Sequence, residues 1–132
     1  MKKLIIISIF SLFIFSCGEK IREEITERFD DGKWTSYYKN GQIEFDGNYK
    51  NGKKDGKWRW YYSNGQIGSD GNYKDGELDG KGTVYYENGQ IGTDGNYKDG
   101  KTDGKWTYYN KDGSIDKVEE YKNGKLIETK EY

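Results

Sequence analysis

The 132-residue chain carries a formal net charge of −1, with 34% charged and 17% aromatic residues, one cysteine, and neither histidine nor proline. This balanced mixture of signs excludes the basic footprint of a nucleic-acid binder, and without histidine the commonest general base and metal ligand is missing. Mean hydropathy is low, as in disordered chains, but such chains are poor in tyrosine and tryptophan, so one ordered domain is expected.

Residues 1–16 read as an export signal. Lys2 and Lys3 precede an apolar run, Leu4 to Phe15, interrupted only by Ser8 and Ser11. Such a run suits a signal-peptide core and falls short of the ~20 residues that span a bilayer. Ile14-Phe15-Ser16-Cys17 resembles the lipobox of bacterial lipoproteins, in which the cysteine is lipidated and becomes the first residue of the mature chain. Cys17 is the only cysteine, so no internal disulfide is open to it, and lipidation accounts for both its position and its solitude. Several acyl chains on one cysteine anchor stably where a single chain does not. The expectation is a lipid-anchored protein of the bacterial cell envelope, with the outer membrane favoured over the inner, since the absence of Asp after Cys17 offers no support for inner-membrane retention. Residues 17–30 form the lipidated N-terminus and a charged spacer. Ile21, Ile25 and Phe29 are spaced there for a short helix, and a worn first strand fits equally.

Residues 31–132 are a repeat array with a C-terminal cap. Asp31-Gly32-Lys33-Trp34 returns at Asp55, at Asp79 (with Gly82 in place of the tryptophan) and at Asp103, a period of 24 residues. Asn40-Gly41-Gln42-Ile43 returns at Asn64 and Asn88 and in the worn form Asp112-Gly113-Ser114-Ile115. Asp46-Gly47-Asn48-Tyr49-Lys50 returns at Asp70 and Asp94. A fixed period of this size means stacked units, none of which buries its apolar face alone. Asn-Gly or Asp-Gly occurs twice per unit, at 40–41 and 51–52 and their equivalents. These dipeptides favour the two-residue hairpin turn with positive φ at both central positions. The expected fold is all-β: an elongated antiparallel meander of consecutive hairpins, about eight strands from four units.

Strand parity sorts the side chains. Trp34, Ser36 and Tyr38 share one face of the first strand, and Ile43, Phe45, Gly47 and Tyr49 share one face of the second. The expected repeat core is therefore Trp34, Trp58 and Trp106 with Ile43, Ile67, Ile91 and Ile115 and with Tyr49, Tyr73, Tyr97 and Tyr121. Glycines on that face leave holes that neighbouring rings cover, which recovers stability and pins register. Gly82 makes the third unit the weak joint. Val118, Leu126 and Ile127 mark the last unit as a cap.

The run from Tyr49 to Tyr62, repeated from Tyr73 to Tyr86 and from Tyr97 to Tyr109, resembles the variant form of the MORN repeat. That resemblance covers residues 31–126. It implies consecutive β-hairpins forming a twisted antiparallel sheet, protein–protein contacts or phospholipid binding, and no catalytic residues. Bacterial chains of this kind are often labelled antitoxins; with an export signal, an immunity role facing the envelope is the compatible form.

No chemistry competes with that reading. Serines and threonines have no acid–base partner at a set spacing, and acidic pairs are those of any sheet with 23 Asp and Glu. The segment Asp70 to Gly76 fails as a calcium loop, because Lys74 stands where an oxygen ligand is needed and the glycine comes one residue late. Asp46, Asp70 and Asp94 are expected to pair with lysines of adjacent strands. What remains is a second aromatic row, Tyr37, Tyr61, Tyr85 and Tyr109, on the face opposite the tryptophans. Tyrosine is enriched at interfaces. The expectation is a non-enzymatic protein-interaction module that needs no cofactor, held at the membrane by its lipid, with another envelope protein as partner. The alternative is recognition of envelope glycans or lipid headgroups by the same rings.

Overall fold

The computed structural model describes residues 31–132; the expected export signal, Cys17 and the spacer lie outside the described residues. Nine strands form one antiparallel sheet in strict chain order. They are β1 (Gly32–Tyr37), β2 (Ile43–Lys50), β3 (Lys53–Tyr61), β4 (Ile67–Lys74), β5 (Glu77–Tyr85), β6 (Ile91–Lys98), β7 (Lys101–Tyr109), β8 (Ile115–Lys122) and β9 (Lys125–Glu131). The strand beyond the expected eight is β9, which follows the last Asn-Gly turn and covers the edge of β8.

The two turns of each unit differ. At Asn51-Gly52, Asp75-Gly76, Asp99-Gly100 and Asn123-Gly124 both residues are left-handed, with φ of 50–51° at the first and 72–84° at the glycine. These are the expected two-residue turns. At Asn40-Gly41 and its equivalents the expectation fails, because only the glycine has positive φ. Tyr38 N–H donates to the Gln42 carbonyl at 2.8 Å and Gly41 N–H to the Tyr38 carbonyl at 3.0 Å, which closes a three-residue loop. The Asn40 side chain selects it: its Oδ1 accepts from Gln42 N–H at 3.0 Å, and Asn64, Asn88 and Asp112 do the same in their units.

Two irregularities per unit follow. Beside the three-residue loop, Ser36 pairs with Phe45 but Tyr37 with Ile43, leaving Glu44 as an extra residue. Between β2 and β3 the ladder jumps from Asp46–Arg59 to Asn48–Asp55, so Gly47 faces the three residues Gly56-Lys57-Trp58. Gly56 and Gly104 have φ of 70° and 71° there, with nothing within 4 Å of where a Cβ would stand. Contrary to expectation, no ring covers these glycines. They are needed for backbone conformation.

Where a ring does cover a glycine, it makes the core of a sheet that has no second layer. A Cβ at Gly47 would stand 2.2 Å from the Trp58 ring, and one at Gly95 2.3 Å from Trp106. Trp58 and Trp106 are the only buried large apolar residues among the described residues, at 5% and 6% exposure. Each indole lies flat on its glycine between flanking tyrosines: Tyr49 and Tyr73 at 5.0 and 6.3 Å for Trp58, Tyr97 and Tyr121 at 4.9 and 6.5 Å for Trp106. Each Nε1–H donates to a carbonyl, Asn48 at 3.0 Å and Asn96 at 3.1 Å. Trp34, on the edge strand β1, remains 36% exposed.

Candidate binding faces

The irregularity at Glu44, Gly68, Gly92 and Asp116 sets the composition of the face opposite the tryptophans. One extra residue in a strand reverses the side-chain alternation beyond it. Ile43, Ile67, Ile91 and Ile115 therefore pair with Tyr37, Tyr61, Tyr85 and Tyr109. Directly paired residues point to the same side. The isoleucines leave the tryptophan face to which unbroken parity assigns them, and Ile91 and Ile115 are 37% and 40% exposed. The result is four Tyr–Ile pairs, one per unit, along one side of the sheet. Tyr37 is the most exposed ring of the row, and the others are half-buried.

Polar contacts hold this row in place. Tyr61 donates its hydroxyl to Asp46 Oδ1 at 3.3 Å, and Tyr109 to Asp94 Oδ1 at 3.4 Å. The same aspartates pair with Arg59 at 3.5 Å and Lys81 at 3.3 Å, while Asp70 takes Lys57 at 2.9 Å. Two of the three cations are the expected lysines; the third is arginine. With their cations half exposed, such pairs contribute little to stability individually. Beneath them Thr83 and Thr107 are buried. Among the described residues no three acidic side chains converge to hold a metal ion.

The second tyrosine of each Tyr-Tyr pair sets the spacing of the row. Tyr38, Tyr62 and Tyr86 donate their hydroxyls to the carbonyls of Tyr61, Tyr85 and Tyr109, each at 2.7 Å. Each clasp joins one unit to the next. Sequence reasoning placed Tyr38 on the tryptophan face but missed the clasp, although a repeated Tyr-Tyr beside a turn is the visible signal.

The array closes on a polar network. Glu119 stands where earlier units have glycine, opposite Trp106. It accepts from Lys117 and Tyr121, each at 2.7 Å. Those bonds hold the Glu119 carboxyl below its ordinary range. Burial first, then hydrogen bonding to Tyr121 and Glu119, pushes the Tyr108 phenol above its own. No further indole follows to need a glycine there, so a carboxylate is tolerated.

The sequence pattern described as the MORN repeat variant matches residues 30–51, 54–75, 78–99 and 102–123. No curated protein matches the chain. Among solved structures, accessory secretory protein 1, 2 and 3 of Streptococcus pneumoniae is 20% identical at a TM-score of 0.42, over 74% of this chain and 18% of that one. TarM is 11% identical at 0.46, over 86% and 24%. The chain thus spans about a quarter or less of either, and at these identities the likeness reaches neither activity nor partner. With all four units matched, the chain belongs to the MORN repeat variant family, and its repeats form a binding module.

Proposed function

We propose that this MORN-variant chain is a non-enzymatic, lipid-anchored protein of the bacterial envelope whose Tyr–Ile face binds another envelope protein, in a scaffold or immunity role. The observation that carries the reading is the register that places Tyr37, Tyr61, Tyr85 and Tyr109 beside four isoleucines. Rings with a polar tip beside branched apolar side chains are what protein interfaces concentrate at their centre. A row tied from unit to unit by hydroxyl clasps is preorganised, which lowers the entropic cost of binding. Lys2, Lys3, the apolar run to Phe15 and Ser16-Cys17 support export and lipidation.

Affinity capture from the native envelope tests this, with the Cys17→Ser chain as bait beside the same chain carrying Tyr61→Ser and Tyr85→Ser. The expected result is one protein held in near-stoichiometric amount by the first and lost by the second, with circular dichroism unchanged. Retention of glycan or lipid instead would replace the protein partner by the alternative reading. Radiolabelled palmitate on the wild-type chain, absent from Cys17→Ser, tests the anchor.

A further inference from the structure

The tryptophan face carries a cavity that the repeat itself explains. It measures about 200 Å³, and its walls include Trp58, Tyr73, Leu78, Tyr97 and Trp106. Its floor is Gly71 paired with Gly82. In the second and fourth units the place above that glycine is filled by the unit's own indole, Trp58 over Gly47 and Trp106 over Gly95. In the third unit position 82 is glycine and no indole is supplied. Leu78 and Tyr97 take only part of the space: one Leu78 methyl group comes within 2.9 Å of a Cβ built at Gly71 and the Tyr97 ring edge within 2.7 Å of one at Gly82, against three ring atoms of Trp58 at 2.2–2.7 Å over Gly47.

The chemistry of an occupant follows from what the flanking units put there. There the occupant is an indole, flat on glycine, edge-on to tyrosines, with its N–H given to the carbonyl of the residue just before a tyrosine, Asn48 before Tyr49 or Asn96 before Tyr97. The corresponding residue in the third unit is Asn72. An apolar cavity of about 150 Å³ accepts benzene, so this one suits a bicyclic ring. Charge adds a second requirement. Lys54 Nζ stands at the wall, 4.6 Å from the Trp58 ring centre and 4.9 Å from that of Tyr73. None of the ion pairs among the described residues engages it. A cation over these rings attracts an anionic group carried beside the occupant's ring.

We propose that the third unit is a binding slot for a tryptophan side chain of a partner polypeptide, adjacent to a carboxylate that meets Lys54. It shares with the preceding proposal only the premise that the partner is a polypeptide, since the slot lies on the opposite face.

The test uses the full chain in lipid nanodiscs with N-acetyl-5-fluorotryptophan, followed by fluorine NMR, and its neutral amide as control. Wild type broadens and shifts the probe saturably, and Gly82→Trp, which restores the repeat's own indole, abolishes this while melting no lower than wild type. Lys54→Gln weakens the acid about three-fold, the size of an exposed charge contact, and leaves the amide unchanged. No saturable signal from wild type, or the same signal from Gly82→Trp, overturns the slot. An envelope protein captured equally by wild type and Gly82→Trp, with no saturable probe signal from wild type, overturns the slot yet leaves the Tyr–Ile face standing. Probe binding by wild type alone, with only glycan captured from the envelope, upholds the slot and removes the Tyr–Ile proposal.

Discussion

Gly47, Gly71 and Gly95 hold the same place in three units, and what covers them differs, so alanine at each separates packing from backbone. All three lie outside the positive-φ set, so an added Cβ brings no backbone strain. In a strand it removes the ~0.5–1 kcal/mol disadvantage of glycine. At Gly95 that Cβ stands 2.3 Å from Trp106, where ordinary contact begins at 3.4 Å. The ring must retreat by roughly 1 Å in a close-packed site. Tyr97, Tyr121 and the bond to the Asn96 carbonyl oppose the movement. Overpacking of this kind costs about 1–3 kcal/mol, for a net loss of about 1–2 kcal/mol. Gly47→Ala beneath Trp58 should behave alike. At Gly71 only the end of the flexible Leu78 side chain lies at 2.9 Å, so Gly71→Ala should be near neutral. Thermal unfolding followed by circular dichroism reads the difference at about 4–8 °C per kcal/mol for a domain near 100 residues. Equal shifts at all three positions would refute the role assigned to the indoles.

Further predictions concern the glycines, the clasps and the closing network. Gly104→Ala, with open space but φ of 71°, should cost about 1–2 kcal/mol, and Gly104→Asn distinctly less, in urea unfolding. Tyr62→Phe deletes the 2.7 Å bond to the Tyr85 carbonyl and should cost about 1 kcal/mol in the same assay. Glu119 is held below its ordinary value of 4.5, so its contribution is present above that pH and is lost as pH falls through the lower folded value. Acid titration should therefore melt wild type more steeply than Glu119→Gln. Tyr108 is raised above 10.0; its contribution is complete below pH 10 and is lost as pH climbs toward the folded value. Tyr108→Phe should flatten the alkaline limb of the stability curve.

Much of the fold was legible because the chain repeats its punctuation. Asn51-Gly52 and its equivalents announce two-residue turns, and chain order gives the sheet order directly. Face assignment was less legible. Alternation predicts a side chain's face only while pairing is unbroken, and the extra residue at Glu44, Gly68, Gly92 and Asp116 reverses it for Ile43, Ile67, Ile91 and Ile115. The signal lay in the loop: Asn40 caps the amide of Gln42 and so draws a third residue into the turn. The glycines show the same limit. Gly47 and Gly56 look alike in sequence, yet one carries an indole and the other a left-handed backbone. Gly82 was visible as a weak point, but a missing ring shows as a cavity only when its neighbours are in place.

The most direct test of the proposed function is photo-crosslinking in intact cells, with p-benzoylphenylalanine replacing Tyr85 on the Tyr–Ile face or Thr129 on the edge strand β9. The account predicts one discrete protein adduct from position 85 and none from position 129. Adducts to glycan or lipid alone, or the same protein from both positions, would contradict it.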